Sequence, residues 1–439
     1  MITLQAPASK SVSHRMLIAA ALAHGNSTVR HALASADLER TRAILSLAGA
    51  SMEDAGKGTW RVHGMLHGPQ GGTQNPVSCD VGESGTTCRL LTAVLAAGKG
   101  KFRIHGAERM HERPIGALAD ALSALGSSIA FEGKAGYPPL QIDAHGLSGG
   151  DVALSVDSSS QYLSGLLLAS PLCSSPLRVT IAGSKVVSWP YVGLTLQVLE
   201  DFGISFHVEQ LIENKWQASA WKSIAQARPG ELRICVSPGE YKPGEYDVEG
   251  DWSGASYLLA AGAVGKEPVL VTGLRADSLQ GDRAILDILR SMGSQISVRE
   301  DGIAVFPSDL HGITADMGSC PDLVPTVAMI AAGAAGSTVI TNIAHLRIKE
   351  CDRLSACASE LARIGIRTEE TESTLTIHGC GPNRPVIPEG VVFKSYNDHR
   401  LAMSEALLGL AGRQTVCVDD PKVVRKSFPE FWDVWSALL

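Results

Sequence analysis

Two kinds of helical segment alternate along the chain, and that internal repeat constrains the fold more than any other feature. The first kind is rich in Ala and Leu and apolar nearly all round: residues 10–25, 83–98, 159–172, 251–265, 322–336 and 396–412. Such helices are expected to be buried, with small residues letting their neighbours approach closely. The second kind follows a short strand and a polar loop, is amphipathic, and often ends at a glycine before re-entering a strand. Its copies span 29–52, 104–129, 181–206, 270–296, 339–366 and 416–438, the last stopping with its helix. Gly49, Gly126, Gly203, Gly293 and Gly365 take equivalent places, suited to the left-handed residue that closes a helix. Repeated βα units imply an α/β architecture. Three units precede and three follow the stretch 209–232, which breaks the pattern and contains Pro229-Gly230. A chain of 439 residues is too long for one ordinary core. Two domains are expected, 10–228 and 1–9 with 229–439, the first strand belonging to the distal domain.

Composition removes several classes of function. Hydrophobic residues make up 45% and charged residues 19%, with mean hydropathy +0.09, as in a compact soluble protein. No apolar run reaches membrane-spanning length without Gly or polar breaks. The start, Met1-Ile-Thr-Leu-Gln-Ala-Pro, lacks a secretory pattern, and nine cysteines without CxxC pairs suit a reducing cytoplasm. A net charge of −7 argues against nonspecific nucleic-acid binding but leaves room for a locally basic cleft. No GxGxxG or P-loop motif, HExxH pair or GxSxG elbow occurs, so no nucleotide cofactor or metal is expected. His63 and His67 read as surface histidines in a Gly/Pro loop.

The unusual residues gather at helix starts and in the loops. Lys10, Ser11 and Arg15 open the first apolar helix; Glu83, Gly85, Thr86 and Arg89 the second; Ser159, Ser160 and Gln161 the third. Asp322 opens the fifth, and Asn397-Asp398-His399-Arg400 the sixth; the loops add Arg113, Ser188, Tyr191, Lys349, Glu350, Arg353 and Lys426. Helix N-termini present unpaired N–H groups and partial positive charge, so several converging ones make an anion site. Ser, Thr and Asp there serve equally as N-caps. Capping does not explain Lys10, Arg15, Arg89, His399 and Arg400, whose charge opposes the helix dipole. In 343–354, Ile-Ala-His-Leu-Arg-Ile-Lys-Glu-Cys-Asp-Arg-Leu, a helix beginning near Glu350 would set Lys349 and Arg353 about one turn apart, facing one anion. Glu350 between them would handle a proton beside that anion. A solvated helix start laced with ion pairs is the plainer reading of this stretch taken alone.

These blocks occur together and in order. Lys10-Ser11-Val-Ser-His-Arg15, Gly85-Thr86-Thr-Cys-Arg89, Glu112-Arg113-Pro114-Ile115-Gly116, Ser159-Ser160-Gln161-Tyr162-Leu163, Lys349-Glu350-Cys-Asp352-Arg353-Leu354 and Tyr396-Asn397-Asp398-His399-Arg400 resemble the signature blocks of the EPSP synthase family over essentially the whole chain. The resemblance implies a two-domain enolpyruvyl-transferase fold. Each domain would be a pseudo-threefold assembly of βαβαββ-type units with buried parallel helices, and the active site would lie in the interdomain cleft. It implies a cytoplasmic, monomeric enzyme of aromatic amino acid biosynthesis, without cofactor, nucleic acid or membrane partner. The substrates would be shikimate 3-phosphate and phosphoenolpyruvate, and glyphosate would compete with the latter.

By matched position, shikimate 3-phosphate would be held by Lys10, Ser11, Arg15, Ser159, Ser160, Gln161, Ser188, Tyr191, Asp322, His345 and Lys349. Phosphoenolpyruvate would be held by Lys10, Glu83, Gly85, Thr86, Arg113, Gln161, Arg353, Arg400 and Lys426. The resemblance assigns catalysis to Asp322 as base and Glu350 as acid then base, assisted by Lys10 and His399. Glu83 and His345 stand where the family commonly has Asn, and Leu90 where Pro often follows the Arg. The charge of Glu83 is expected to weaken glyphosate relative to relatives with Asn. Two other readings remain: an enolpyruvyl transferase acting on UDP-N-acetylglucosamine, and a non-catalytic phosphometabolite-binding protein. The first generally carries a Cys in the loop before its Arg-Pro pair, and 101–114 contains none.

Overall fold

The computed structural model describes residues 1–224 and 227–439. Among them are twelve α-helices: α1 (Lys10–Leu22), α2 (Ala36–Leu47), α3 (Gly85–Ala96), α4 (Gly116–Ala124), α5 (Gln161–Ala169), α6 (Trp189–Asp201), α7 (Trp252–Val264), α8 (Ile285–Ser291), α9 (Val324–Ala331), α10 (Arg353–Arg363), α11 (His399–Gly412) and α12 (Phe431–Ser436). The odd-numbered helices are the apolar ones, and they are buried along nearly their whole length. The even-numbered helices bury one side, as Leu38, Ile44 and Leu45 of α2 and Leu354, Cys357 and Leu361 of α10 show.

The repeat is a strand, a buried helix, a second strand parallel to the first, an outer helix and a hairpin. Val77–Asp80 leads through α3 to the parallel strand Lys99–His105, then through α4 to Ser128–Phe131 and Leu140–His145. The last of these returns antiparallel against Lys99–His105. This is the βαβαββ unit. Where each outer helix ends, Gly49, Gly126, Gly203, Gly293 and Gly365 all adopt positive φ. A side chain there would strain the turn that reverses the chain into the hairpin.

The chain divides into two compact units, Lys10–Val248 and Met1–Ser9 with Glu249–Leu439. In the first, α1, α3 and α5 contact one another pairwise; in the second, α7, α9 and α11 do. The opening repeat of each unit borrows its first strand from a distant part of the chain. Glu245–Asp247 pairs parallel with Asn26–Arg30, and Ile2–Gln5 pairs parallel with Val269–Thr272. Residues 229–248 therefore belong with 10–228, a correction to the boundary read from Pro229-Gly230. The cause is Leu232–Val236, which lies antiparallel between Leu177–Ala182 and Phe206–Ile212 as the returning hairpin strand of the third repeat. Lys215–Ser219, inserted before it, adds the fifth strand at the sheet edge. The sixth repeat comprises the parallel pair Val392–Phe393 and Cys417–Val418 with α11 between them and α12 after.

Candidate functional site

The residues singled out by sequence form two groups, one in each unit. In Lys10–Val248 they sit at the N-terminal ends of α1, α3, α5 and α6 and in the loop before α4. Arg15 is 1% exposed and faces inward. Its Nε donates to Thr195 Oγ1 at 2.8 Å and its Nη1 to the Ser11 carbonyl at 2.8 Å. Nη2 donates to Ser164 Oγ at 3.1 Å and to the Tyr191 carbonyl at 3.0 Å. Burial lowers this guanidinium to about 10, so it stays charged at neutral pH. Arg15 thus ties α1, α5 and α6 together, and its donors are directed at protein acceptors. Lys10 Nζ lies 3.3 Å from Asp37 Oδ2. Ser188 is buried in the left-handed region, φ 53° and ψ 42°, immediately before α6. A non-glycine residue held there costs on the order of 1 kcal/mol and fixes the entry of the chain into the helix that carries Tyr191.

The start of α3 is organised around Gly85. Ser84 caps the helix by accepting from the Thr87 N–H at 3.2 Å. Gln161, the first residue of α5, accepts from Arg89 Nη1 at 3.0 Å and donates to Thr86 Oγ1 at 2.9 Å. Arg113 donates to the main-chain carbonyl of Glu83 at 3.2 Å, a bond an Asn at that position would equally supply. A Cβ on Gly85 would stand 2.5 Å from Arg113 Nη2 and 2.7 Å from Arg89 Nη1. Both arginines are only 5% exposed, so two guanidinium groups flank a bare backbone at a helix N-terminus. Arg89 was expected only as a charge opposing the dipole; here it joins this cluster. Ser159 accepts from the Gln161 N–H at 3.2 Å, and Ser160 is buried at the N-cap of α5.

In the second unit Arg353 is the hub. Its Nη1 donates to Asp322 Oδ1 at 2.9 Å and its Nη2 to Glu350 Oε2 at 2.9 Å. Nε donates to Asp398 Oδ2 at 2.7 Å. Arg400 Nη2 reaches the other oxygen of Asp322 at 2.6 Å. Burial favours a neutral Asp322, but Arg400, Arg353 and Lys349 outweigh it and hold the carboxyl well below the usual range. Asp398, fully buried, also caps α11 by accepting from the Arg400 N–H at 2.9 Å. It was expected as one residue of a charged helix start, yet it fixes both arginines. Burial, together with the Asp322 charge, raises Asp282 and favours its neutral form; Ser253 Oγ donates to it.

The segment around Glu350 differs from expectation. A 3-10 turn, Ala344–Ile348, is followed by extended Lys349, and α10 begins only at Arg353, because Asp352 takes the N-cap and accepts from the Ser355 N–H at 3.2 Å. Lys349 and Arg353 are therefore not successive residues on a helix face. Glu350 approaches Arg353 from the loop. His345 is buried within the 3-10 turn, His399 is buried as the first residue of α11, and Lys426 is buried at the end of the 3-10 turn Pro421–Lys426. Tyr396 and Asn397, both with positive φ, lead into Asp398. Buried Glu360 braces that strained turn, accepting from the Lys394 N–H at 3.0 Å and from Tyr396 Oη at 2.9 Å.

The chemistry available is an array of arginines suited to a phosphate and a carboxylate, with two carboxylates set against one of them. The family model for EPSP synthase (3-phosphoshikimate 1-carboxyvinyltransferase) matches residues 2–220 and 222–435. The chain belongs to the EPSP synthase family. It is 38% identical to 3-phosphoshikimate 1-carboxyvinyltransferase of Marinomonas sp., over 99% of this chain and 96% of that protein. It is 39% identical to the protein of the same name from Methanoculleus marisnigri, over 98% and 94%. EPSP synthase of Acinetobacter baumannii superposes with TM-score 0.78 at 27% identity, over 99% of this chain and 95% of the other. The enolpyruvyl transferase NikO of Streptomyces tendae shares the fold, with TM-score 0.73 at 18% identity over 100% and 94%. No helix among the described residues is long and apolar enough to cross a membrane.

Proposed function

We propose that the chain transfers the enolpyruvyl group of phosphoenolpyruvate to the 5-hydroxyl of shikimate 3-phosphate. The observation that carries this is the sharing of Arg353 between Asp322 and Glu350, beside Arg400. The substrate hydroxyl adds to C2 of phosphoenolpyruvate while Asp322 takes its proton. Glu350 delivers a proton to the methylene carbon, giving a tetrahedral adduct. Glu350 then removes a proton from the resulting methyl group as the C2–O bond to phosphate breaks, which restores the double bond. In net terms the C2–O bond to the 5-oxygen replaces the C2–O bond to phosphate, and the hydroxyl proton leaves through Asp322. The proton added to the methylene carbon is balanced by the one removed from the methyl group.

The cations serve a second purpose. Held by two arginines, Asp322 is a weak base in the unliganded protein. An anionic substrate taken up by Arg353 and Arg400 draws their charge away and raises the basicity of Asp322 when the hydroxyl is in place. Lys10, Ser11, Ser159, Ser160, Gln161, Ser188, Tyr191, His345 and Lys349 are assigned to shikimate 3-phosphate, with Arg15 acting through the positions of Ser11 and Tyr191. Glu83, Gly85, Thr86, Arg113, Arg353, Arg400 and Lys426 are assigned to phosphoenolpyruvate, with His399 beside Arg400.

The test is phosphate release from phosphoenolpyruvate by the purified protein with each acceptor in turn. Release is expected with shikimate 3-phosphate and not with UDP-N-acetylglucosamine. The reverse preference, or no release with either, would overturn the assignment.

Gly85→Ala tests the binding half. The added methyl must push Arg113 or Arg89 aside, at a cost of about 1–3 kcal/mol. The KM for phosphoenolpyruvate and the inhibition constant for glyphosate are both expected to rise by roughly tenfold or more. The fold should survive, since the groups displaced are the ends of flexible side chains. Unchanged constants in steady-state kinetics would place both ligands away from Gly85.

A further inference from the structure

The stretch that breaks the repeat builds something the proposed reaction does not use. Strand Phe206–Ile212 pairs antiparallel with Leu232–Val236, setting His207 opposite Cys235 and Glu209 opposite Arg233. Residues two apart on a strand share a face, as do directly opposed residues, so all four side chains emerge together. His207, Glu209 and Cys235 are the one group of metal-ligating type among the described residues whose donor atoms all lie within 4.8 Å of one another. Cys235 Sγ is 3.6 Å from Glu209 Oε2, and His207 Nε2 is 3.8 Å from Glu209 Oε1. A tetrahedral ion with bonds of about 2.3 Å to sulfur and about 2.0 Å to nitrogen and oxygen holds its donors roughly 3.3–3.5 Å apart. Taking one donor atom from each residue, all separations are within 4.8 Å, so shifts on the order of 1 Å bring the three groups to that geometry.

We propose that His207, Glu209 and Cys235 form a binding site for a zinc-class divalent cation, with water completing the fourth position. The donor set, one imidazole, one carboxylate and one thiolate, is of the kind zinc prefers. Exposed His207 gives the ion a path from solvent, and buried Cys235 supplies the inner wall. The ion would tie Phe206–Ile212 to Leu232–Val236 within the sheet. The spacing of 26 residues between Glu209 and Cys235 hides this set from any reading of local motifs.

The surroundings set its strength and its pH dependence. Arg233 donates to Glu209 and competes with a cation for that oxygen, while its guanidinium also lies 4.4 Å from the Trp216 ring centroid. Arg178, opposite Cys235 on the other side, is paired with Asp151. Burial pushes the Cys235 thiol up to about 11, with Glu209 adding to the effect and Arg233 and Arg178 opposing it. An incoming ion must therefore displace the thiol proton, forming a sulfur–metal bond and releasing H⁺ to solvent. Binding should release protons and strengthen as pH rises.

The test uses the intact, reduced, metal-stripped protein titrated with Co²⁺, then with Zn²⁺ in competition. One equivalent of Co²⁺ should bring up a thiolate-to-cobalt charge-transfer band that Zn²⁺ abolishes. The band should be lost in Cys235→Ser and in His207→Ala, retained in Cys417→Ser, which removes an exposed thiol, and saturate at lower Co²⁺ in Arg233→Gln. His207→Ala changes an exposed side chain, so it keeps the test valid should Cys235→Ser unfold. No band, a band that survives in either ligand variant, or one lost with Cys417 would overturn the proposal.

Discussion

Asp322→Asn and Glu350→Gln are each expected to lower kcat by roughly 10²–10⁴-fold, about 3–5 kcal/mol of barrier, the usual worth of a positioned proton-transfer group. The two should differ in binding. Asp322→Asn removes the charge shared by Arg353 and Arg400, leaving both more attractive to an anion. Its KM for phosphoenolpyruvate should stay level or fall while kcat collapses. Glu350→Gln leaves Arg353 with Asp322 and Asp398, so binding should change less. Steady-state phosphate release, calorimetric binding of shikimate 3-phosphate and circular dichroism separate these effects. Near-normal kcat in either folded variant would refute that residue's role.

Glu405 should dominate the response of stability to pH. It lies inside α11 with no solvent exposure, and neither carboxyl oxygen has a hydrogen-bond partner among the described residues. Burial raises it well above the usual carboxyl value, and the charges of Glu360, Asp419 and Asp398 add to the rise. The folded protein therefore keeps a proton that the unfolded chain loses near the ordinary carboxyl value. Between that value and the raised one the unfolded state binds fewer protons, so stability falls as pH rises, by about 1.4 kcal/mol per unit. Glu405→Met replaces the carboxyl with an apolar group of similar length. It should stabilise the protein by about 1–3 kcal/mol at neutral pH and flatten this slope. Urea unfolding of both proteins from pH 6 to 9 measures it, and parallel curves would show that Glu405 has a partner in solution.

The repeat, the buried helices and their closing glycines were legible because they rest on periodicity and backbone conformation, which are local. Lys10, Arg15, Arg89, His399 and Arg400 were visible as cations where a helix dipole should repel them, and most of the other residues of the two groups as polar or charged residues at helix starts and in loops. What stayed hidden was set by tertiary contact. The inward turn of Arg15 depends on Thr195 and Ser164, far away in sequence. Asp398 looked like an ordinary N-cap, and only the approach of Arg353 shows its second bond. The start of α10 was misplaced because Glu350 and Asp352 both suit a first turn, and the cap belongs to Asp352. The returning strand of the third repeat, Leu232–Val236, was missed because Pro229-Gly230 marks a turn within a sheet as readily as a boundary.

The exchanged strands impose an order on synthesis. Ile2–Gln5 leaves the ribosome long before Val269–Thr272, the strand it must pair with. At 5–20 residues per second it waits on the order of 15–50 s as an unpaired strand. The unit Lys10–Val248 has no such delay at its end, since Glu245–Asp247 completes its sheet as the unit's last strand is made. That unit can finish folding while the second unit is still being translated. Met1–Ser9 must remain free of misplaced pairing until the second unit arrives to claim it.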